Sequence, residues 1–86
     1  MNNVELKEKI TQLLKNNLKT TYLELIDETH KHVKHKNFQS NKFHFKLKIS
    51  SSELDNKSKL NAHKQIYQCL GTLMQTHIHA LSIQII

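Results

Sequence analysis

The sequence predicts a small α+β domain, ordered helix, strand, strand, helix, strand, in which a three-stranded sheet carries its helices packed on one face. Three observations lead there. Apolar residues recur at helical spacing in two separate windows. Residues 43–49 alternate strictly between apolar and polar, as a half-buried strand does. The chain has 86 residues, room for one domain spanning 1–86, and a domain of that size buries only roughly 60% of its unfolded surface. A deep enclosed active site would leave too little core, so the reading favours a binding or adaptor module and no enzyme.

Residues 3–18 read as a helix because Leu6, Ile10, Leu13, Leu14 and Leu18 form one stripe, with Lys7, Lys9, Gln12, Lys15 and Asn16 largely away from it. Asn2 or Asn3 caps its start, and Glu5 suits the positive end of the helix dipole. Residues 22–27 form a strand in which Tyr22, Glu24 and Ile26 alternate with Leu23 and Leu25. In the next strand Phe43, Phe45, Leu47 and Ile49 face one way and His44, Lys46 and Lys48 the other, an antiparallel pattern. The connection between them, about residues 28–42, is long for a hairpin, and long loops in compact domains are disproportionately functional. Residues 51–59 are a polar connection with Asn56 as a left-handed turn residue. Ser58 caps a second helix that runs to about Met74, its apolar positions being Leu60, Ile66, Tyr67, Leu70, Leu73 and Met74. Gly71 costs helix propensity there and allows a neighbour to come close. Residues 77–85 form the last strand.

Net charge is +6, and every basic residue is lysine. Between His30 and Ser52 stand Lys31, Lys34, Lys36, Lys42, Lys46 and Lys48, four histidines (His30, His32, His35 and His44) and no acid. Such a patch attracts phosphate, nucleic acid or an acidic partner. A single cysteine, Cys69, permits no internal disulfide and fits a reducing compartment. In mid-helix it reads as a small buried hydrophobe. No leader-like segment opens the chain, and no stretch approaches the ~20 apolar residues of a membrane span. The expected location is cytoplasmic, or organellar where a targeting peptide has been removed.

The last strand opens on His77 and His79. Period-two alternation puts His79 on one face with Leu81, Ile83 and Ile85, at the edge of their core. A polar, metal-capable group in that position has either a hydrogen-bond partner or a function. His77 and His30 read as solvated twins of His79 and His32. His44 reads as a structural or surface residue on a polar strand face. His63 reads as a packed histidine, with contribution to a metal site as the alternative. Glu24, Asp27 and Glu28 are too few and too mixed with lysine for an acid–base pair; Asp27-Glu28-Thr29 ends its strand and shapes the loop.

Four stretches taken in order resemble the BolA family from about Ile10 to the end. They are Leu23-Glu24-Leu25-Ile26-Asp27-Glu28-Thr29 followed by His32; Phe43-His44-Phe45-Lys46-Leu47; Leu54, Asn56, Leu60, His63 and Lys64 at the family's spacing; and His79-Ala80-Leu81-Ser82-Ile83. The resemblance implies a KH-like (class II) α-β-β-α-β fold. It implies a partner, a monothiol glutaredoxin, with which a [2Fe-2S] cluster is shared through the glutaredoxin cysteine and glutathione on one side and histidines on the other. Carried over, those histidines are His79 and His32, with His30 and His35 as alternatives because the loop is longer than the family's and lacks its Pro and Gly. No cluster is expected on the isolated chain. Some family members are regarded as DNA-binding regulators of stress and morphology. The surface implied for nucleic acid or a partner comprises Lys31, Lys34, Lys36, Lys42, Lys46, Lys48, His44, His63 and Lys64. Lysine without arginine, and without the KH Gly-x-x-Gly loop, supports salt-sensitive binding of low specificity. The family's usual Arg-His-Arg is Ala62-His63-Lys64 here. Oligomeric state, including a homodimer, stays open.

Overall fold

A computed structural model describes residues 2–29 and 43–86. The elements are α1 (Asn3–Asn17), β1 (Thr20–Asp27), β2 (Phe43–Ser51), α2 (Lys59–Leu70), α3 (Leu73–Thr76) and β3 (Ile78–Ile85). The expected α+β architecture is present. β1 begins earlier and β2 ends later than the alternation suggests, and the second helix is divided in two.

The first helix forms as its stripe dictates. Leu6, Ile10 and Leu14 are buried, and the Asn2 side chain caps the start by accepting from the Glu5 backbone N–H at 2.8 Å. In the sheet, β2 lies between β1 and β3. It pairs antiparallel with β1, Leu25 opposite Leu47 and Leu23 opposite Ile49. It pairs parallel with β3, Leu81, Ile83 and Ile85 standing beside Phe45, Leu47 and Ile49. The sequence of β2 suggests antiparallel neighbours alone, but alternation reports one buried face and is blind to strand direction. A parallel neighbour needs a crossover, and α2 and α3 supply it.

One core takes Leu6, Ile10 and Leu14 from α1, Leu25 from β1, Phe45, Leu47 and Ile49 from β2, Ala62, Ile66 and Leu70 from α2, Leu73 from α3 and Ile78 from β3. The helices therefore sit on the sheet face that carries Phe45, Leu47 and Ile49. Full burial of each such side chain contributes about 1.5–3 kcal/mol. Leu54 closes the core from within the connection after β2, where Leu54 N–H donates to the Ser51 carbonyl at 3.0 Å and folds the chain back.

Three local expectations are corrected. Leu60 is 65% exposed and Tyr67 also faces solvent, whereas Ala62 is buried. The seam of α2 thus runs Ala62, Ile66, Leu70, one turn apart along the helix, whereas Leu60 falls well round the axis from Ile66. The helix stops at Gly71, whose φ of +56° and ψ of −130° is a conformation L side chains avoid. A Cβ at Gly71 would meet nothing nearer than the Gln68 carbonyl oxygen at 4.0 Å, so the residue is there for its backbone and not for close approach. Asn56 is not left-handed: among the described residues no non-glycine has positive φ.

Candidate functional site

At one end of the sheet the chain brings the ends of β1 and α3 and the starts of β2 and β3 together. α3 finishes on Thr76, and His77 follows as its cap, its N–H donating to the Leu73 carbonyl at 3.0 Å. The His77 carbonyl accepts from Phe43 N–H at 2.9 Å, which ties this corner to β2. Ile78 then enters the core at 1% exposure. Between the pairs Phe43–Ile78 and His44–Ala80 the register slips by one residue, and His79 is the residue left over. A slip of this kind re-aims a side chain.

His79 is accordingly exposed instead of continuing the half-buried row of Leu81, Ile83 and Ile85. Its ring stands over His44, with centroids 4.8 Å apart and planes inclined at 43°. His44 is buried at 7% exposure, the structural alternative of its reading as a structural or surface residue. Lys46 and Lys48 continue that face, half exposed, and Lys48 Nζ lies 3.8 Å from Glu24 of β1. His44 therefore gives the exposed imidazole a rigid aromatic backing from the sheet's central strand.

A hydrogen-bonded bracket fixes this end of the sheet. Asp27 Oδ1 accepts from Thr29 N–H at 2.9 Å and from the Thr29 hydroxyl. The same Thr29 oxygen accepts from His44 N–H at 3.1 Å, and Glu28 N–H donates to the His44 carbonyl at 2.8 Å. Asn3 at the start of α1 donates to Asp27 Oδ2 at 3.3 Å. Partial burial pushes the Asp27 carboxyl up, but the Thr29 side-chain and backbone donors, Asn3 and the Lys7 charge together outweigh it and hold Asp27 below the ordinary aspartate value. The expectation that Asp27-Glu28-Thr29 ends its strand agrees with this bracket.

The other candidates scatter. His77 Nδ1 lies 2.7 Å from the Thr76 hydroxyl, beside the corner and not in it. His63 is half buried near the far end of β3, lining a cleft of about 530 Å³ with Leu54, Ile83 and Ile85, so it is not brought to His79. Lys64 is exposed on α2. His32, His30, His35, Lys31, Lys34, Lys36 and Lys42 lie outside the described residues. Among the described residues no three His, Cys, Asp or Glu groups converge to hold a metal ion. Cys69 is half buried; burial pushes its thiol up and the charge of Glu53 adds to it, the opposite of an activated nucleophile. Sequence reading misses the backing role of His44, because the slip that seats His79 over it depends on pairing between strands that lie far apart in the chain.

The fold and this corner define a class: a KH-like α+β domain offering a sheet-mounted histidine at its surface. Comparison makes the class specific. The family model described as "BolA-like protein" matches residues 14–86. The chain belongs to the BolA-like family. It is 30% identical over 78 residues to the "DNA-binding transcriptional regulator BolA" of Escherichia coli (strain K12), covering 91% of this chain and 71% of that protein. A protein of the same name from Haemophilus influenzae is 28% identical over 82 residues, covering 95% of this chain and 77% of its own length. Among solved structures, the BolA domain of SufE1 from Arabidopsis thaliana superposes with a TM-score of 0.79 at 31% identity, over 91% of this chain and 86% of that one. No helix among the described residues is long and apolar enough to cross a membrane.

Proposed function

We propose that this protein is a non-enzymatic adaptor that lends the His79 imidazole to a [2Fe-2S] cluster shared with a monothiol glutaredoxin and glutathione. The observation that supports the reading is the exposed ring of His79, set out by the register slip and backed by His44. An imidazole nitrogen suits iron, and histidine in place of thiolate raises a cluster's potential. His79 fits the group as a single ligand: the described residues offer no set that could hold a metal unaided, so the remaining ligands must come from elsewhere. His32, or His30 or His35 in its place, is the second ligand this chain would contribute.

The test combines the protein with a monothiol glutaredoxin, glutathione, iron and sulfide, and records visible circular dichroism. His79→Ala is expected to change the spectrum and to shorten the lifetime of the cluster. A variant with the wild-type spectrum and the wild-type lifetime removes His79 from the ligand set.

A second reading is duplex-DNA binding by a transcriptional regulator. It is favoured by the names of the two bacterial relatives and by the lysine content of the chain. Binding carried by lysine falls steeply with salt, so a titration of labelled duplex at two ionic strengths decides it. The two roles are compatible in one molecule.

A further inference from the structure

The outer strands of the sheet, β1 and β3, differ in kind. β1 carries Glu24 and Asp27 and has a register shift between Thr20 and Tyr22. Charges and irregularities of this sort keep an edge from pairing with other chains. β3 lacks both safeguards beyond His79: Ala80, Leu81, Ser82, Ile83, Gln84 and Ile85 pair in regular register and include no charge. Ile86 N–H donates to the Ile49 carbonyl at 2.9 Å, so this part of β3 turns the backbone of even-numbered residues toward β2. Ile83 and Ile85 therefore turn their N–H and C=O groups to the outer edge, where no described strand meets them. Their half-buried side chains stand beside Leu47 and Ile49, on the face that the helices cover.

That edge borders a cleft of about 530 Å³. Leu54, Ile83 and Ile85 give the cleft an apolar lining, and Lys57, Lys59 and His63 stand around it. Lys57 and Lys59 are exposed and flank Ser58, the cap of α2, where the helix dipole is positive. Lys57 Nζ donates to the Gln65 side chain, a neutral partner. Asp55 is the one carboxylate among the described residues lining the cleft, and no aspartate or glutamate follows it up to Ile86. Outward peptide groups, an apolar lining and a cationic rim together select an extended chain with apolar and acidic side chains. A second copy of this protein fits poorly, because its net charge is +6 and its own β3 offers no acid to the lysines.

We infer that the outer edge of β3 at Ile83 and Ile85 receives an extended, acidic segment of a partner protein as a fourth strand. The segment pairs its backbone with Ile83 and Ile85. Side chains at alternate positions share a face. On the face toward the cleft, apolar residues lie against Leu54, Ile83 and Ile85, and an acidic residue further along meets Lys57 and Lys59. Ile83 is four residues along β3 from His79, about 13 Å at the ordinary strand rise, so this site stands apart from the histidine corner.

NMR titration of the isotope-labelled protein with a synthetic peptide tests this. The peptide carries valine, isoleucine and two glutamates at alternate positions, with serine and threonine between them. Binding should shift the amides of Ile83 and Ile85 and slow their hydrogen exchange, while exchange at Gln84, already turned to β2, stays as it was. Lys57→Glu with Lys59→Glu should weaken the peptide by roughly tenfold or more, and a peptide with lysines in place of the glutamates should bind that variant and not wild type. A circular dichroism melt matching wild type confirms that the variant folds. Shifts at Lys57 and Lys59 without protection at Ile83 and Ile85 overturn the strand addition. Equal binding of a glutamate peptide lacking the apolar residues, or complete displacement by duplex DNA of equal charge, makes the surface a general polyanion site and overturns the protein partner. Dimers in ultracentrifugation whose Ile83 and Ile85 amides are already protected give the edge to a second copy instead. No change with millimolar peptide overturns the inference outright.

Discussion

Replacing Thr29 by valine keeps the branched shape and removes one oxygen with two tasks. That oxygen donates to the Asp27 carboxylate and accepts from His44 N–H at 3.1 Å. A hydrogen bond to a charged group contributes about 1.5–3 kcal/mol, and a backbone N–H left without its acceptor costs about 1–3 kcal/mol. The bracket is half buried, so water replaces part of each, and a total near 2 kcal/mol at pH 7 is the working figure. For a domain of this size that lowers Tm by about 8–16 °C. The loss has a pH signature. Asp27 is held below its ordinary value in the folded state, so its contribution is complete above the unfolded aspartate pKa and fades as pH falls through the folded one. The gap between wild type and Thr29→Val should therefore be widest at neutral pH and narrow below about pH 4. Because the two side chains share one bond, Thr29→Val combined with Asp27→Asn should cost less than the sum of the single variants. Urea unfolding from pH 7 to pH 3 measures all of this. A neutral-pH loss under about 0.5 kcal/mol, or a gap that ignores acid, refutes the bracket as a source of stability.

Two further outcomes concern residues away from the histidines. Gly71→Ala should destabilise by about 1–3 kcal/mol in a thermal melt although nothing crowds the new methyl, because the backbone there is unfavourable for any L side chain; a neutral or stabilising result would mean the turn relaxes freely. Cys69 should react with a disulfide reagent at pH 8 more slowly in the native protein than in urea, since burial and Glu53 both disfavour its thiolate; equal rates would show the thiol to be open and unperturbed.

Most of the fold is legible in the sequence because it rests on local periodicity. Leu6, Ile10 and Leu14 mark α1, and Phe45, Leu47 and Ile49 mark the inner face of β2, without any knowledge of their partners. What escapes depends on relations between distant residues. Periodicity exchanges Leu60 and Ala62 because hydrophobicity favours the larger residue, while packing against α1 and the sheet accepts the smaller. It runs the second helix through Gly71 because composition does not reveal the sign of φ. The motif around His79 marks it as the functional candidate, yet its exposure arises from a slip in register that alternation excludes. His44 lies two positions from Lys46 in an evidently polar row, and only the third strand distinguishes it from its neighbours.

The parallel pairing of β2 with β3 makes the two-ring arrangement depend on the whole chain. β3 reaches β2 only by way of the crossover through α2 and α3, so the contacts between these two strands close a longer loop than those between β1 and β2. His79 meets His44 only where β3 is paired with β2. An incompletely folded chain, however helical, lacks this arrangement, and any molecule that recognises the two rings together selects for chains that have finished maturing.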